Sequence, residues 1–523
     1  MLPLVTAESH GTRLADLRRR LVPAHGRRSM YEVRAPFTDE PLGHLLLCGE
    51  PEVAVAVRRA RLAAAEWALV PPGRRTEPLR RFHDLVLERQ DEVLDIVQLE
   101  TGKARAHAFE EVGDVAIVTR HYVARAPGLL GSRRRRGVVP GLTRVTEVRK
   151  PKGVVGIIAP WNYPLSLGAT DAIPALLAGN AVVLKPDLQT THTALWVAEL
   201  LDDAGLPEDL FQVISGDGPT AGAALVDAVD YVSFTGSTAT GRLVAARAGE
   251  LLTGASLELG GKNAMIVRVD ADLERAVDGA LRGSFANAGQ LCVSIERLYV
   301  HRELFDAFVA RFVERVARLR LGSGLNWGAD LGSLTSASQL AKVSEHVEDA
   351  VSKGVTVRAG GRPRPDIGPF FFEPTVLTGV TPGMRLHSEE TFGPVVAVRP
   401  FDTDDEAVEL ANASCYGLNA SIWSRDTRVA RALALRIEAG TVNVNEAYSA
   451  AWASVDAPMG GVKDSGLGRR HAVDGLLKYT EAQTIAEQRL VPLDPSAPWV
   501  RRAGSRRLAT WMLVAMRRIP GLR

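Results

Sequence analysis

From residue 151 onward, short β-branched runs alternate with Ala- and Leu-rich segments of helical period, and this alternation restricts the fold more than any other feature of the chain. Runs at 154–159, 181–185, 211–214 and 231–235 form a first set. Strands alternating with helices predict a parallel, doubly wound sheet. A second set begins at 264–267 and continues through 298–300, 395–398, 420–423 and 441–445, which predicts a second α/β domain. Ahead of both, Val53, Val57, Ala60, Ala64 and Trp67 recur at helical spacing, as do Phe82, Leu85, Leu94 and Val97. Pro71, Pro72 and Gly73 separate two of these helices.

Composition narrows the class of chain. With 523 residues, 46% hydrophobic and 24% charged, it has the balance of a globular protein of several domains, which excludes disorder and collagen-like structure. Only Cys48, Cys292 and Cys415 are present, too few for a disulfide scaffold or a thiolate zinc site, and a reduced, cytoplasmic setting is the default. The first thirty residues hold no apolar core of signal-peptide length. The longest strongly apolar stretch, 508–516, has nine residues where a bilayer span needs about 20.

The net charge of +2 argues against general nucleic-acid binding. It is nevertheless an average, because residues 491–523 carry seven arginines against one aspartate and leave the remainder acidic. There Leu508, Trp511, Met512, Ala515, Met516 and Ile519 share one helical face flanked by Arg506, Arg507, Arg517 and Arg518. This basic amphipathic helix could lie on an anionic membrane surface, dock on a subunit or remain a tail. The block Arg133–Arg136 reads as a solvated turn or hairpin edge.

Candidate chemistry clusters at strand ends. The run ending in Thr235 is followed by Gly236-Ser237-Thr238-Ala239-Thr240-Gly241, a turn into a helix that could offer backbone N–H groups to a phosphate. It has neither the G-x-G-x-x-G fingerprint nor the ending of a P-loop. Lys185, at a strand end before Pro186, could hold a ribose or phosphate, or be an ordinary solvated lysine. Glu258 lies in the apolar run Leu257-Glu258-Leu259 before Gly260 and Gly261, and a buried carboxylate is costly unless it pairs or works. Gly289-Gln290-Leu291-Cys292 follows a helical stretch predicted at 273–288; its thiol could be a nucleophile or a small core residue.

Taken together, Pro160-Trp161-Asn162-Tyr163-Pro164, Lys185-Pro186, Phe234-Thr235-Gly236-Ser237-Thr238, Glu258-Leu259-Gly260-Gly261-Lys262, Gly289-Gln290-Leu291-Cys292 and Glu389-Glu390-Thr391-Phe392-Gly393-Pro394 resemble, in order, the motifs of the aldehyde dehydrogenases. The resemblance covers about residues 30–490. It implies a Rossmann-type cofactor domain (31–130 and 151–258), a catalytic α/β domain (259–460) and oligomerisation segments (131–150 and 470–490). An N-terminal extension (1–30) and the basic tail (491–523) flank them. A homodimer or homotetramer is implied.

The resemblance also assigns roles. Cys292 is implied as the nucleophile, Asn162 and the Cys292 N–H as oxyanion donors, and Glu258 as the base that deacylates the thioester, a set for which no metal is expected. Trp161, Lys185, Gly236, Ser237, Glu390 and Phe392 are implied in binding NAD or NADP. Leu188 stands where many NAD-preferring members have a ribose-binding glutamate, which points to NADP. In wording the chain looks most like succinate-semialdehyde dehydrogenases. The arginines that clamp the substrate carboxylate in that subgroup are replaced here by Thr170 and Ala286. Either another arginine enters the pocket, or the substrate is a less polar aliphatic or aromatic aldehyde. Ser294, two residues after the nucleophile, leaves no partner thiol for a redox switch, and Cys48 and Cys415 are expected in the core.

Overall fold

Two sheets carry the architecture, and both follow the predicted alternation. In the first, the strand order is Gly466–Leu467, Gly254–Glu258, Tyr231–Thr235, Val154–Ile158, Ala181–Lys185 and Phe211–Val213. All neighbours are parallel except the short edge strand Gly466–Leu467. The order reverses between Val154–Ile158 and its neighbours, the point at which open α/β sheets bind ligands beyond their carboxyl ends. In the second sheet the order is Thr356–Ala359, Thr375–Thr378, Val395–Phe401, Ile295–His301, Asn263–Val267, Asn419–Trp423 and Thr441–Val444. Only Thr356–Ala359 runs antiparallel. These details come from a computed structural model, which describes residues 7–22, 29–137, 143–489 and 503–517.

Parallel strands covered on both faces should be apolar throughout, and Ala181–Lys185 and Asn263–Val267 are buried at every position. The predicted helical region resolves into Glu50–Trp67, Thr76–Glu88, Gln90–Thr101 and Arg105–Leu130, with Val53, Val57, Ala60, Ala64 and Trp67 all buried. Of the strands in the two large sheets, Gly254–Glu258, Thr356–Ala359, Thr375–Thr378 and the two-residue Gly466–Leu467 escaped the sequence reading, as did the separate hairpin Met30–Ala35 and Glu40–Leu46. Thr356–Ala359 is mostly exposed at the sheet edge, so burial selects no apolar pattern there.

The chain divides into two compact units. The first comprises Met1–Leu130 and Lys150–Glu481 and contains both sheets. The helix Ala7–Arg18 belongs to it, with Leu14 and Leu17 fully buried in the same core as the first sheet. The second comprises Gly131–Arg149 and Ala482–Arg523. Thr480–Gln488, Thr143–Pro151 and Arg133–Arg135 form a three-stranded sheet in that order, and the three arginines of the last strand are exposed. Residues 470–481 fall in the first unit, and those from Ala482 in the second.

Beyond them, Ala503–Met516 is a helix with Leu508 and Trp511 exposed. Ile519 and Arg518, expected on and beside its apolar face, lie outside the described residues. No described helix is long and apolar enough to cross a membrane. Cys48 is buried, as expected, but Cys415 is exposed, because the loop before Tyr416–Gly417 leaves its side chain at the surface.

Candidate active site

Strand register places the first two groups. Thr235 pairs with Glu258 at the carboxyl end of adjacent parallel strands, and the Gly236 N–H donates to the Glu258 carbonyl at 3.0 Å. The Gly-Ser turn and the carboxylate are therefore neighbours by construction. Ser237 caps the helix Thr238–Glu250, its Oγ accepting the Thr240 N–H at 3.2 Å. The Glu258 side chain is buried, with Oε1 close against Gly460; a Cβ at Gly460 would lie 2.9 Å from it.

Cys292 arrives from the second sheet, three residues before the strand Ile295–His301. Asn263, paired in register with Ile295, donates from Nδ2 to the Cys292 carbonyl at 2.8 Å and to the Ser294 carbonyl at 2.7 Å. The helix predicted to reach 288 ends at Phe285, because Asn287, Ala288 and Gly289 all adopt positive φ, of 50°, 52° and 71°. Gly289 is required twice over, since a Cβ there would lie 2.0 Å from the Gly393 carbonyl oxygen.

Asn162 follows the strand Val154–Ile158 and precedes the helix Pro164–Ala178. Its Nδ2 donates to the Gln290 carbonyl at 3.1 Å, tying the amide to the Cys292 loop and leaving a second N–H on the same nitrogen. A buried pair secures this loop. Lys103 Nζ is 2.5 Å from Glu111 Oε1 and donates to the Asn162 carbonyl at 2.6 Å, while Glu111 Oε2 accepts the Leu165 and Ser166 N–H groups at the helix start. A second buried pair, Lys262–Glu296, does the same for the Glu390–Phe392 loop, Glu296 accepting the Thr391 and Phe392 N–H groups. Gly261 N–H donates to Glu390 Oε1 at 2.8 Å, and Trp161 meets Phe392 edge to face at 5.5 Å.

Two cavities meet at these groups. One, about 720 Å³ with its mouth, is lined by Trp161, Gly236, Ser237, Glu390 and Phe392. The other, about 530 Å³ with its mouth, is lined by Glu110, Tyr163, Tyr448, Trp452, Met459 and Arg470. Asn162, Leu167, Thr235, Glu258 and Cys292 line both. Of the nine residues singled out in the sequence, only Lys185 lines neither. It is buried at the end of its strand with Nζ donating to the Pro186 carbonyl at 3.0 Å, and burial lowers its pKa.

Burial dominates the electrostatics. It pushes Glu258 up to about 7 against the pull of Arg470 and Lys478, and Glu390 up to about 7 with help from Glu296. The Cys292 thiol opens onto the cavities yet is surrounded by protein, and burial with the Glu258 and Glu390 charges pushes it up to about 12. A carboxyl raised to near neutral, a thiol and an amide with a second N–H line one shared space.

Sequence reasoning missed Arg470, Glu110, Lys103 and Glu111. Arg470 lies beside Thr170: its Nη2 donates to Thr170 Oγ1 at 2.6 Å, so a guanidinium from another segment stands on this wall. The sequence signal, two arginines after Gly468, could not show which of them turns inward.

The fold is that of a known class of oxidoreductase: residues 22–485 match the model of the aldehyde dehydrogenase family, and the chain belongs to that family. It is 50% identical over 93% of its length, and 94% of the relative's, to a Mycolicibacterium smegmatis protein provisionally named succinate-semialdehyde dehydrogenase, NADP(+). The crystal structure of succinate-semialdehyde dehydrogenase from Burkholderia pseudomallei superposes with a TM-score of 0.84 at 36% identity, covering 88% of this chain and 95% of that one. Betaine aldehyde dehydrogenase from Staphylococcus aureus, solved with NAD+, gives 0.84 at 31% identity over 92% and 99% of the two chains.

Proposed function

We propose that the protein oxidises an aldehyde to its carboxylic acid through a Cys292 thiohemiacetal and thioester, with succinate semialdehyde as lead substrate and NADP as preferred cofactor. The observation that carries this reading is the meeting of two cavities at Cys292, Glu258 and Asn162. In this reading the first sheet serves the cofactor, the second carries the nucleophile, and the sheet of the second unit joins protomers.

The cleft bounded by Trp161, Ser237, Glu390 and Phe392 fits a dinucleotide: a helix N-terminus stands at one end, suited to a diphosphate, and aromatic and carboxylate groups at the other. Lys185 would take the adenosine ribose and Ser237 the diphosphate, with Glu390 and Phe392 at the second ribose. When bound, the oxidised nicotinamide would supply the acceptor for the hydride that leaves the thiohemiacetal carbon in forming the thioester, and a positive charge in the cleft. The chain's residues do the rest. Cys292 releases its thiol proton to water in the cavity as Sγ adds to the aldehyde carbon. The free Asn162 N–H and the Cys292 backbone N–H donate to the resulting oxyanion. Glu258, as carboxylate, takes a proton from the water that cleaves the thioester. Asn162→Ala lowers kcat by about 100- to 1000-fold while the melting temperature stays near that of the wild type; steady-state kinetics beside a thermal melt check this.

Leu188 is half-buried against the core and carries no charge to repel a 2′-phosphate. NADP turnover therefore exceeds NAD turnover, and Leu188→Glu reverses the ratio. NADP turnover at a few per cent of that with NAD in the wild type refutes the preference. An aldehyde panel with both cofactors, using Cys292→Ala as blank, tests the whole reading. A neutral aldehyde is the second reading, favoured by Glu110, whose carboxylate accepts the Tyr163 and Tyr448 hydroxyls at 3.1 and 3.4 Å on the cavity wall. A higher kcat/KM for hexanal than for succinate semialdehyde selects it.

A further inference from the structure

We propose that Arg470 binds the distal carboxylate of the substrate and thereby sets a preference for anionic over neutral aldehydes of equal length. The proposal rests on the semialdehyde reading and deepens it. Arg470 is the single cation among the residues lining the cavity walled by Glu110, Tyr163 and Tyr448, whereas the cleft of Trp161 and Phe392 carries Lys342. It is 7% exposed, and a guanidinium is buried at a cost that partners must offset. Those partners engage only one nitrogen. Nη2 donates to Thr170 Oγ1 at 2.6 Å and lies 3.3 Å from Asp171 Oδ2, whereas no hydrogen bond among the described residues engages Nη1 or Nε. A charged donor with unused N–H groups on a cavity wall is what a carboxylate oxygen seeks.

The guanidinium is held in place by its charged neighbours. Asp171 is shared: its Oδ1 also takes Lys478 Nζ at 3.2 Å and the Tyr479 hydroxyl at 3.1 Å. Asp114 and Glu258 face Arg470 as well, so the positive charge behind this wall is balanced and the attraction rests on the unused N–H groups. The opposing feature is Glu110, but both phenols donate to it and burial raises its pKa, so its field is partly spent. Of the other lining residues, Leu167, Leu291, Val293, Trp452 and Met459 are apolar and suit a short methylene chain between aldehyde and carboxylate, beside the hydroxyls of Ser166 and Thr235.

The test compares succinate semialdehyde with butanal, at pH 8.5 to keep Glu258 ionised, in wild-type protein, Arg470→Gln and Arg470→Lys. Glutamine retains a donor toward Thr170 and removes the charge. The expected result is a wild-type preference for the semialdehyde and an Arg470→Gln loss of about 30- to 100-fold in its kcat/KM, mostly through KM. The loss with butanal is at least tenfold smaller, and Arg470→Lys restores part of the preference. Equal losses on both aldehydes assign Arg470 to the fold or to Glu258 and overturn the proposal. Retained preference in Arg470→Gln overturns it while sparing the semialdehyde reading; absence of preference in the wild type overturns both. Should the variants not fold, phenylglyoxal labelling of wild-type Arg470 followed by mass spectrometry decides. Protection by succinate but not butyramide supports the assignment, and labelling indifferent to succinate overturns it.

Discussion

Cys292→Ala abolishes aldehyde oxidation, lowering kcat by at least about 10⁴-fold, while leaving the fold intact. The expectation follows from chemistry that nothing else in the cavity can replace. Among the residues lining both cavities, Cys292 carries the one side chain able to form a covalent adduct with a carbonyl carbon and then release it as a thioester; Thr235 has an unactivated hydroxyl. The substitution is also structurally mild. The contacts that fix the loop run through the Cys292 backbone carbonyl, held by Asn263, and through the left-handed residues 287–289, none of which needs the sulfur. The measurement is NADPH formation with a thermal melt. A second check is alkylation: iodoacetamide labels Cys292 slowly at neutral pH, because burial and two carboxylates hold the thiol at about 12. Labelling accelerates once NADP brings positive charge into the cleft. Residual turnover in Cys292→Ala above a thousandth of the wild-type value refutes the assignment.

How much of this was legible in the sequence depended on whether the physical cause was local. The strands 181–185 and 231–235 could be read because burial on both faces of a parallel sheet selects apolar residues continuously. The thiol, the carboxylate and the Gly-Ser turn could be read because each sits in a motif of four to six residues. The irregular segment 286–289 looked helical, since its Ala-rich wording carries no sign of the close approach to Gly393 that forces positive φ. Gly254–Glu258 was hidden for a different reason: only its last three residues are buried, too few for a period. Arg470 was out of reach altogether. It lies 178 residues beyond Cys292, after a two-residue strand, and its inward course is fixed by Thr170 and Asp171, which look like ordinary helix residues. Pairings such as Lys103–Glu111 and Lys262–Glu296 share this property, since partners in space leave no trace in spacing.

Glu258→Gln separates the two halves of the reaction. Glutamine fills the same space, so Cys292 and Asn162 keep their places, but it cannot accept a proton from water. Thioester formation continues and hydrolysis slows by about 10²- to 10⁴-fold, so an acyl adduct accumulates on Cys292 and appears in the intact mass of the protein. The pH dependence carries the same signature. Burial raises the Glu258 carboxyl from the ordinary carboxylate range to about 7, and the base acts only when deprotonated. Wild-type kcat therefore rises with pH, reaches half its plateau near pH 7 and falls tenfold per unit below it, as proton occupancy removes the base. The sign is opposite to that of a buried acid catalyst, which would lose activity over the same interval. Arg470 and Lys478 oppose the shift, so removing the Arg470 charge moves the half-maximum to higher pH for every aldehyde alike. In Glu258→Gln this inflection disappears from the residual rate; an unchanged inflection near 7 would transfer the role to Glu390, whose carboxyl is raised to the same region across the cleft.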